Sequence, residues 1–130
     1  MNRIVLAAAL SAIATLPAVA GEGLMCSGAD GVEFHLPLAG GTGLYPLGAE
    51  ITVGDQVWTT DAQAKGATLI TPAQSIGIDD RYYFDFADPN LEGIVARIRL
   101  FGATGGDEPA IGGTLAITER GAWAVTCDVG

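Results

Sequence analysis

Positive charge is scarce in this sequence, and its scarcity excludes two classes of partner. The chain carries six lysines and arginines against fifteen aspartates and glutamates, a formal net charge of −9. An acidic surface repels the phosphates of nucleic acids and the headgroups of anionic lipids. We therefore expect no nucleic-acid partner, and a field that steers basic proteins or cations toward the chain.

Long apolar runs are also absent, except at the start of the chain. Behind Arg3, residues 4–16 form an apolar run of about thirteen residues, which is the length of a signal-peptide core and too short for a comfortable membrane span. Ala18-Val19-Ala20 then has the small-x-small form that a signal peptidase requires. The prediction is a signal peptide over 1–20, cleaved after Ala20, and a single periplasmic or secreted domain over 21–130 without membrane insertion.

Cysteine and histidine are nearly missing, which limits the chemistry that is available. The chain has two cysteines, Cys26 and Cys127, and one histidine, His35. In an exported chain the cysteines predict a disulfide, which would stabilise the fold by about 4 to 5 kcal/mol on the chain-entropy model. One imidazole is then too few for a zinc site, and neither Ser27 nor Ser75 lies in the full glycine pattern of a nucleophile elbow. We expect no enzyme, no catalytic residue and no cofactor.

Helical periodicity is lacking too, and short alternating strands between glycine-rich turns take its place. Apolar and polar residues alternate in runs that recur at about 8- to 12-residue spacing. Strands are expected at 24–27, 32–38, 50–53, 56–60, 67–71, on both arms of a long hairpin over 81–101, and at 114–119 and 123–129; 72–80 and 102–113 are expected to be connections. The pattern predicts an all-β fold, either a small antiparallel β-sandwich or a barrel of about eight or nine strands, closed by one disulfide between its N- and C-terminal ends.

The hairpin over 81–101 has the most regular alternation and supplies most of the core. One face carries the apolar side chains Tyr82, Phe84, Phe86, Ile94, Ile98 and Leu100. Because a strand has a two-residue period, these side chains should all point inward. Trp58 and Trp123 lie in other alternating strands and are expected to anchor the same core.

The opposite face of this hairpin gathers three of the few basic residues. If Phe86 opposes Ile94, then Tyr83 opposes Arg97 and Arg81 opposes Arg99. Arginines beside an aromatic ring can hold a carboxylate bidentately or stack on a planar ligand. The predicted binding residues are Arg81, Tyr83, Arg97 and Arg99. The alternative is a solvated edge whose arginines are neutralised by the nearby Asp79, Asp80 and Asp85.

The turn of the hairpin has part of a metal-site pattern. Asp88, Asn90 and Glu92 place oxygen ligands at every second position before Gly93, as the first half of a calcium loop does. The second half fails, because Arg99 stands where a bidentate glutamate is needed. Asp-Pro-Asn is also a common turn former, so a plain turn is the alternative.

The last hairpin is expected to contain a three-residue turn or a bulge. That register would pair Ile117 with Val125 and Leu115 with Cys127, and it would bury one face of the hairpin cleanly.

Size, acidity, export signal and strand count together resemble the small periplasmic C-type lysozyme inhibitors. The resemblance implies a binding protein with a basic protein partner, and no motif carries individual residues across. The function expected from the sequence is an exported soluble binding protein without catalytic activity, which engages a basic protein through electrostatic steering. A lysozyme-inhibitor-like protein and a small-ligand-binding β-barrel are the alternatives, and the sequence does not predict an oligomeric state.

Overall fold

The computed structural model describes residues 23–39 and 45–129, which form one β-sheet and no helix. The predicted signal peptide lies outside these residues. The strands are β1 Gly23–Gly28, β2 Val32–Pro37, β3 Glu50–Val53, β4 Gln56–Thr59, β5 Thr68–Leu69, β6 Thr71–Ile78, β7 Arg81–Ala87, β8 Ile94–Thr104, β9 Pro109–Ile117 and β10 Gly121–Val129. No described segment forms a helix long and apolar enough to cross a membrane.

The sheet curls into a nearly closed barrel with the strand order β5-β4-β3-β2-β1-β10-β9-β8-β7-β6. The two ends of this order, β5 and β6, are consecutive parts of one segment, Thr68–Ile78. Its first residues pair in parallel with β4, and the amide of Ile70 donates to the carbonyl of Thr59 at 2.9 Å. Its later residues pair antiparallel with β7. Because one segment touches both edges, the sheet is nearly closed into a barrel.

The barrel interior is filled by one cluster of apolar side chains. Their two-residue spacing along the strands places them on the inner face. The fully buried large side chains are Phe84, Phe86, Leu36, Ile51, Ile70, Ile98, Leu100, Leu115 and Val32. The predicted core face of the β7–β8 hairpin is therefore confirmed, with Tyr82 and Ile94 half-buried at its ends. Trp58 is buried, and Trp123 is half-buried against the same cluster.

The predicted disulfide between Cys26 and Cys127 is present. β1 and β10 are neighbours in the middle of the strand order, and the two cysteines face each other directly, with Cα atoms 4.0 Å apart. The bond spans 101 residues of sequence. A disulfide of this kind indicates an oxidising compartment.

Two segments that the sequence suggested as connections are strands. Residues 71–78 form β6, and β8 and β9 extend into 102–113, leaving only 105–108 between them. Residues 102–113 were expected to form a connection because they are rich in glycine. Gly113 lies where β9 approaches β8 so closely that an added Cβ would overlap the carbonyl oxygen of Arg99. Glycine in a strand often marks such a close backbone approach.

The β9–β10 hairpin has the predicted faces in a different register. Leu115 faces Trp123, and Cys127 faces Ile111. The expected pairing of Leu115 with Cys127 is wrong by four residues. An even shift leaves every side chain on its predicted face, so burial was predicted correctly although the partners were not.

Candidate binding site

The β7–β8 hairpin brings the four predicted binding residues onto one face. Tyr83 pairs with Arg99 and Arg81 with Phe101, so the expected pairs, Tyr83 with Arg97 and Arg81 with Arg99, are wrong by two residues. A ladder irregularity between Phe86 and Ala87 separates the regular ladder from the turn. The four side chains keep their common outward face because the shift is even.

Three apolar side chains that the sequence analysis did not include join them on this face. β6 lies beside β7, with Ile76 opposite Tyr83 and Ile78 opposite Arg81. Phe101 lies on the far side of Arg81. Ile78 and Phe101 are 62% and 52% exposed and flank Arg81 on its two sides. We call the outward residues Ile76, Ile78, Arg81, Tyr83, Arg97, Arg99 and Phe101 the arginine–aromatic surface.

Arg99 is held in place within this surface by contacts that include Asp85 and Tyr83. Its Nη1 donates to Oδ1 of Asp85 at 2.7 Å, and its guanidinium carbon lies 5.0 Å from the centre of the Tyr83 ring. The Tyr83 ring in turn meets Phe101 edge-to-face, with centroids 6.5 Å apart. Packing and hydrogen bonding of this kind fix the orientation of the aromatic pair.

Arg81 and Arg97 are in a different electrostatic state. Both side chains are exposed. Within residues 23–39 and 45–129, the pair formed by Arg99 and Asp85 is the only salt bridge. The predicted neutralisation by a nearby aspartate thus applies to Arg99. The guanidinium groups of Arg81 and Arg97 can donate hydrogen bonds to a carboxylate. Such a pair is frequently bidentate, which adds directional selectivity.

Acidic residues border the surface at one end. Asp79 and Asp80 form the β6–β7 turn, and the carbonyl of Asp80 accepts a hydrogen bond from the amide of Gly102 at 2.7 Å. Asp79 and Asp80, with Ile78, Arg81 and Phe101, line a depression of about 360 Å³. The rim therefore combines both signs of charge around apolar groups, as protein contact surfaces often do.

The turn of the hairpin uses its acidic side chain for local structure. Oδ1 of Asp88 accepts the amide of Asn90 at 2.9 Å, and its Oδ2 accepts the amides of Glu92 and Gly93 at 3.1 and 2.7 Å. Desolvation alone would raise the pKa of Asp88, but these backbone hydrogen bonds together lower it. The described residues contain no group of three or more His, Cys, Asp or Glu side chains placed to hold a metal ion. The predicted ligands Asp88, Asn90 and Glu92 lie together in a turn that organises its own backbone.

A second feature, which sequence reasoning missed, lies on the other side of the barrel. Outward residues of β10, β1, β2 and β3 line a depression of about 410 Å³, which we call the acidic depression. Its carboxylates are Glu33, Glu50 and Asp128, and they surround His35 and the exposed Met25. These residues come from four strands, and β10 is far in sequence from the other three, so only the strand order could have shown their convergence.

Compared with known protein families, curated proteins and solved structures, the chain matches none closely enough to indicate a relationship.

Proposed function

We propose that the protein is an exported binding protein without catalytic activity and that it binds through the arginine–aromatic surface. The observation that carries the proposal is the composition of this surface. Exposed Ile78 and Phe101 stand beside Tyr83 and two arginines that lack an acidic partner in the described part of the chain. Tyrosine and arginine dominate binding energy at protein interfaces, and clustered exposed apolar side chains mark such interfaces.

The chemistry of the surface specifies what it would bind. Arg81 and Arg97 select carboxylates, and Phe101 and Ile78 select an apolar group next to them. The surface lies on the outside of the sheet, and the described interior is occupied by core side chains. Both facts favour the surface of another protein over a small ligand held inside the barrel. The disulfide supports export, and cleavage of the predicted signal peptide after Ala20 belongs to the same proposal.

A basic protein partner is the second candidate, and the acidic depression is the observation that favours it. No lysine or arginine among the described residues forms a salt bridge with Glu33, Glu50 or Asp128. A cationic side chain from a partner would supply the missing counter-charge, and the net charge of −9 would speed its approach. A lysozyme-inhibitor-like function is one form of this candidate.

The first proposal is tested by quantitative capture from an exported-protein fraction. The baits are wild-type protein, an Arg97→Ala/Phe101→Ala variant, and a Thr126→Ala control on the exposed outer face of β10. A partner of this surface should be retained by wild type and control, and lost from the double variant, while all three melt at similar temperatures. If the set of captured proteins is the same for the three baits, the arginine–aromatic surface is not the contact.

The second candidate has its own probe, a C-type lysozyme as a strongly cationic protein. Binding should be measurable at low salt, weaken steeply at high salt, and fall at least tenfold in the Glu33→Gln/Glu50→Gln variant. Asp107→Asn, which removes a charge in the β8–β9 connection, is the matched control. No salt-dependent binding, or equal binding by both variants, would rule out lysozyme through this depression.

A further inference from the structure

The outer edge of β6 has no hydrogen-bond partner among the described residues. β6 is the last strand in the order, and one of its edges is paired with β7. Beyond that ladder, the described backbone bonds include none to residues 72–78. An unpaired strand edge is a template for another strand.

Hairpin geometry identifies which groups point outward. β6 and β7 are joined by the two-residue turn Asp79-Asp80, so Ile78 and Arg81 form the closing, hydrogen-bonded pair. Hydrogen-bonded and non-bonded positions alternate along an antiparallel ladder. Gln74 and Ile76 therefore also bond to β7. Ser75 and Gly77 direct their amide and carbonyl groups to the open edge.

The edge lacks the usual protection against pairing. Natural edge strands carry charged side chains, central prolines or strong bulges. Residues 71–78, TPAQSIGI, have no charge, and both the proline and the ladder irregularity lie near the start of the strand. The outward side chains beside the open part are Gln74, Ile76 and the 62% exposed Ile78.

We propose that this edge pairs with β6 of a second copy of the chain, antiparallel and about a two-fold axis. Two copies of this uncharged segment can pair without repulsion. Two copies of a strand with charge of one sign would repel each other. When Ser75 faces Gly77 of the second copy, each of the two such pairs exchanges two hydrogen bonds, about four in total. The same register places Ile76 against its own copy and Gln74 against Ile78. Tyr83 then lies behind Ile76 on both sides, so the apolar seam is continuous with two arginine–aromatic surfaces.

This inference goes beyond the proposed function and can fail separately. Arg97 and Phe101 lie on β8, two strands from the open edge. A monomeric protein could still bind through them. A dimer would present two adjacent copies of the surface on one continuous sheet, and would bind a bivalent partner more tightly than a monomer would.

Sedimentation equilibrium over a wide concentration range is the first test. Wild-type protein should associate to a dimer and no further, because the two-fold pairing uses the open β6 edge of each of the two copies. Ile76→Lys, which sets two charges face to face, should shift the dissociation constant at least tenfold toward monomer. Ala122→Lys, at an exposed outward position of β10, adds the same charge away from the edge and should not.

Cysteine cross-linking tests the register. In the proposed dimer two Ile76→Cys residues face each other, as Cys26 and Cys127 do within the chain, whereas two Gln74→Cys residues are offset by four positions, roughly 13 Å. With oxidised glutathione, which takes up the two electrons and protons of the thiols, Ile76→Cys should give a covalent dimer and Gln74→Cys alone should not. A mixture of Gln74→Cys and Ile78→Cys should cross-link, although each alone should not.

Several results would overturn the proposal. One is a wild-type chain that stays monomeric at the highest soluble concentration, and another is a dimer that Ile76→Lys leaves intact. Cross-linking of Gln74→Cys alone would reject the register. Binding of a different protein by a monomeric chain, lost in Ile76→Lys but kept in the Arg97→Ala/Phe101→Ala variant, would show that the edge accepts an extended segment from elsewhere.

Discussion

Asp85 faces Arg97 directly across the β7–β8 ladder, yet it forms its salt bridge with Arg99, one step along the diagonal. The Tyr83 ring explains the choice, because it packs on the guanidinium of Arg99 and holds that group near Asp85. Asp85 is only 8% exposed, and Arg99 is its one salt-bridge partner among the described residues. Arg97 is left in solvent with its charge available.

Replacing either member of this pair should therefore destabilise the fold more than replacing the neighbouring Arg97. Asp85→Asn or Arg99→Gln should lower the free energy of unfolding by about 1 to 2 kcal/mol, less than for a fully buried pair because Arg99 is partly solvated. Arg97→Gln should change it by less than about 0.5 kcal/mol. Urea denaturation of the three variants and of the Asp85→Asn/Arg99→Gln double variant checks this. Additive losses in the double variant would mean that the pair contributes nothing to stability.

Removal of the disulfide should be among the most costly changes in the chain. A Cys26→Ser/Cys127→Ser variant should lose about 3 to 5 kcal/mol, because the unfolded chain regains the freedom of a loop spanning 101 residues. Denaturation curves of wild type with and without dithiothreitol, beside the variant, measure the loss. Reductant should destabilise only the wild type. An unchanged midpoint in the variant would contradict the expectation.

Gly113 should not tolerate a side chain. A Cβ there would meet the carbonyl oxygen of Arg99 and lie 2.9 Å from the Cα of Leu100, both of them backbone atoms that cannot rotate away. Gly113→Ala should cost about 1 to 3 kcal/mol, as overpacking does. Gly105→Ala is the control, since nothing lies within 4 Å of its added Cβ. Equal thermal midpoints for the two variants would show that β8 and β9 are not so closely spaced.

The Asp88 turn should give a defined pH dependence. The pKa of this carboxyl is lowered below 3.8 in the folded chain, so its ionised form stabilises the fold. That contribution is complete above the unfolded-state pKa and is lost as the pH falls through the lower folded-state pKa. Wild type should exceed Asp88→Asn in thermal midpoint at neutral pH, and the gap should close in acid below 3.8.

Calcium addition measures the metal alternative for the same turn. Because backbone amides already occupy the Asp88 oxygens, the midpoint should be the same with calcium and with a chelator. A rise that Asp88→Asn abolishes would establish a calcium site.

The two-residue period of a strand explains which features of the structure could be predicted from the sequence. Alternation placed Phe84, Phe86, Ile98 and Leu100 inside and Arg81, Tyr83, Arg97 and Arg99 outside, all correctly. A two-residue shift in register leaves every side chain on the same face, so alternation does not determine which residues pair across the strands. The pairing of Tyr83 with Arg99 depends on a ladder irregularity and a turn closed by the Asp88 carboxylate, which apolar spacing does not encode.

Other errors have a different cause. The strand over 72–78 was missed because its inward positions Ser75 and Gly77 are small and polar, which removes the apolar alternation. The acidic depression was missed because Glu33, Glu50 and Asp128 become neighbours only through the strand order. Local pattern predicts burial well, whereas a site built across strands depends on long-range pairing.

The strand order also divides the chain into two antiparallel meanders, which pair with each other at two places. The first runs from β1 to β4 and the second from β6 to β10, with β5 linking them through the exposed turn over 61–66. A single proteolytic cut in that turn would leave two chains that share the β1–β10 ladder, the parallel pairing of β4 with β5 and one covalent bond. The nicked protein would run as one band without reductant and as two bands with it, so the disulfide would turn a break in the backbone into a subunit boundary.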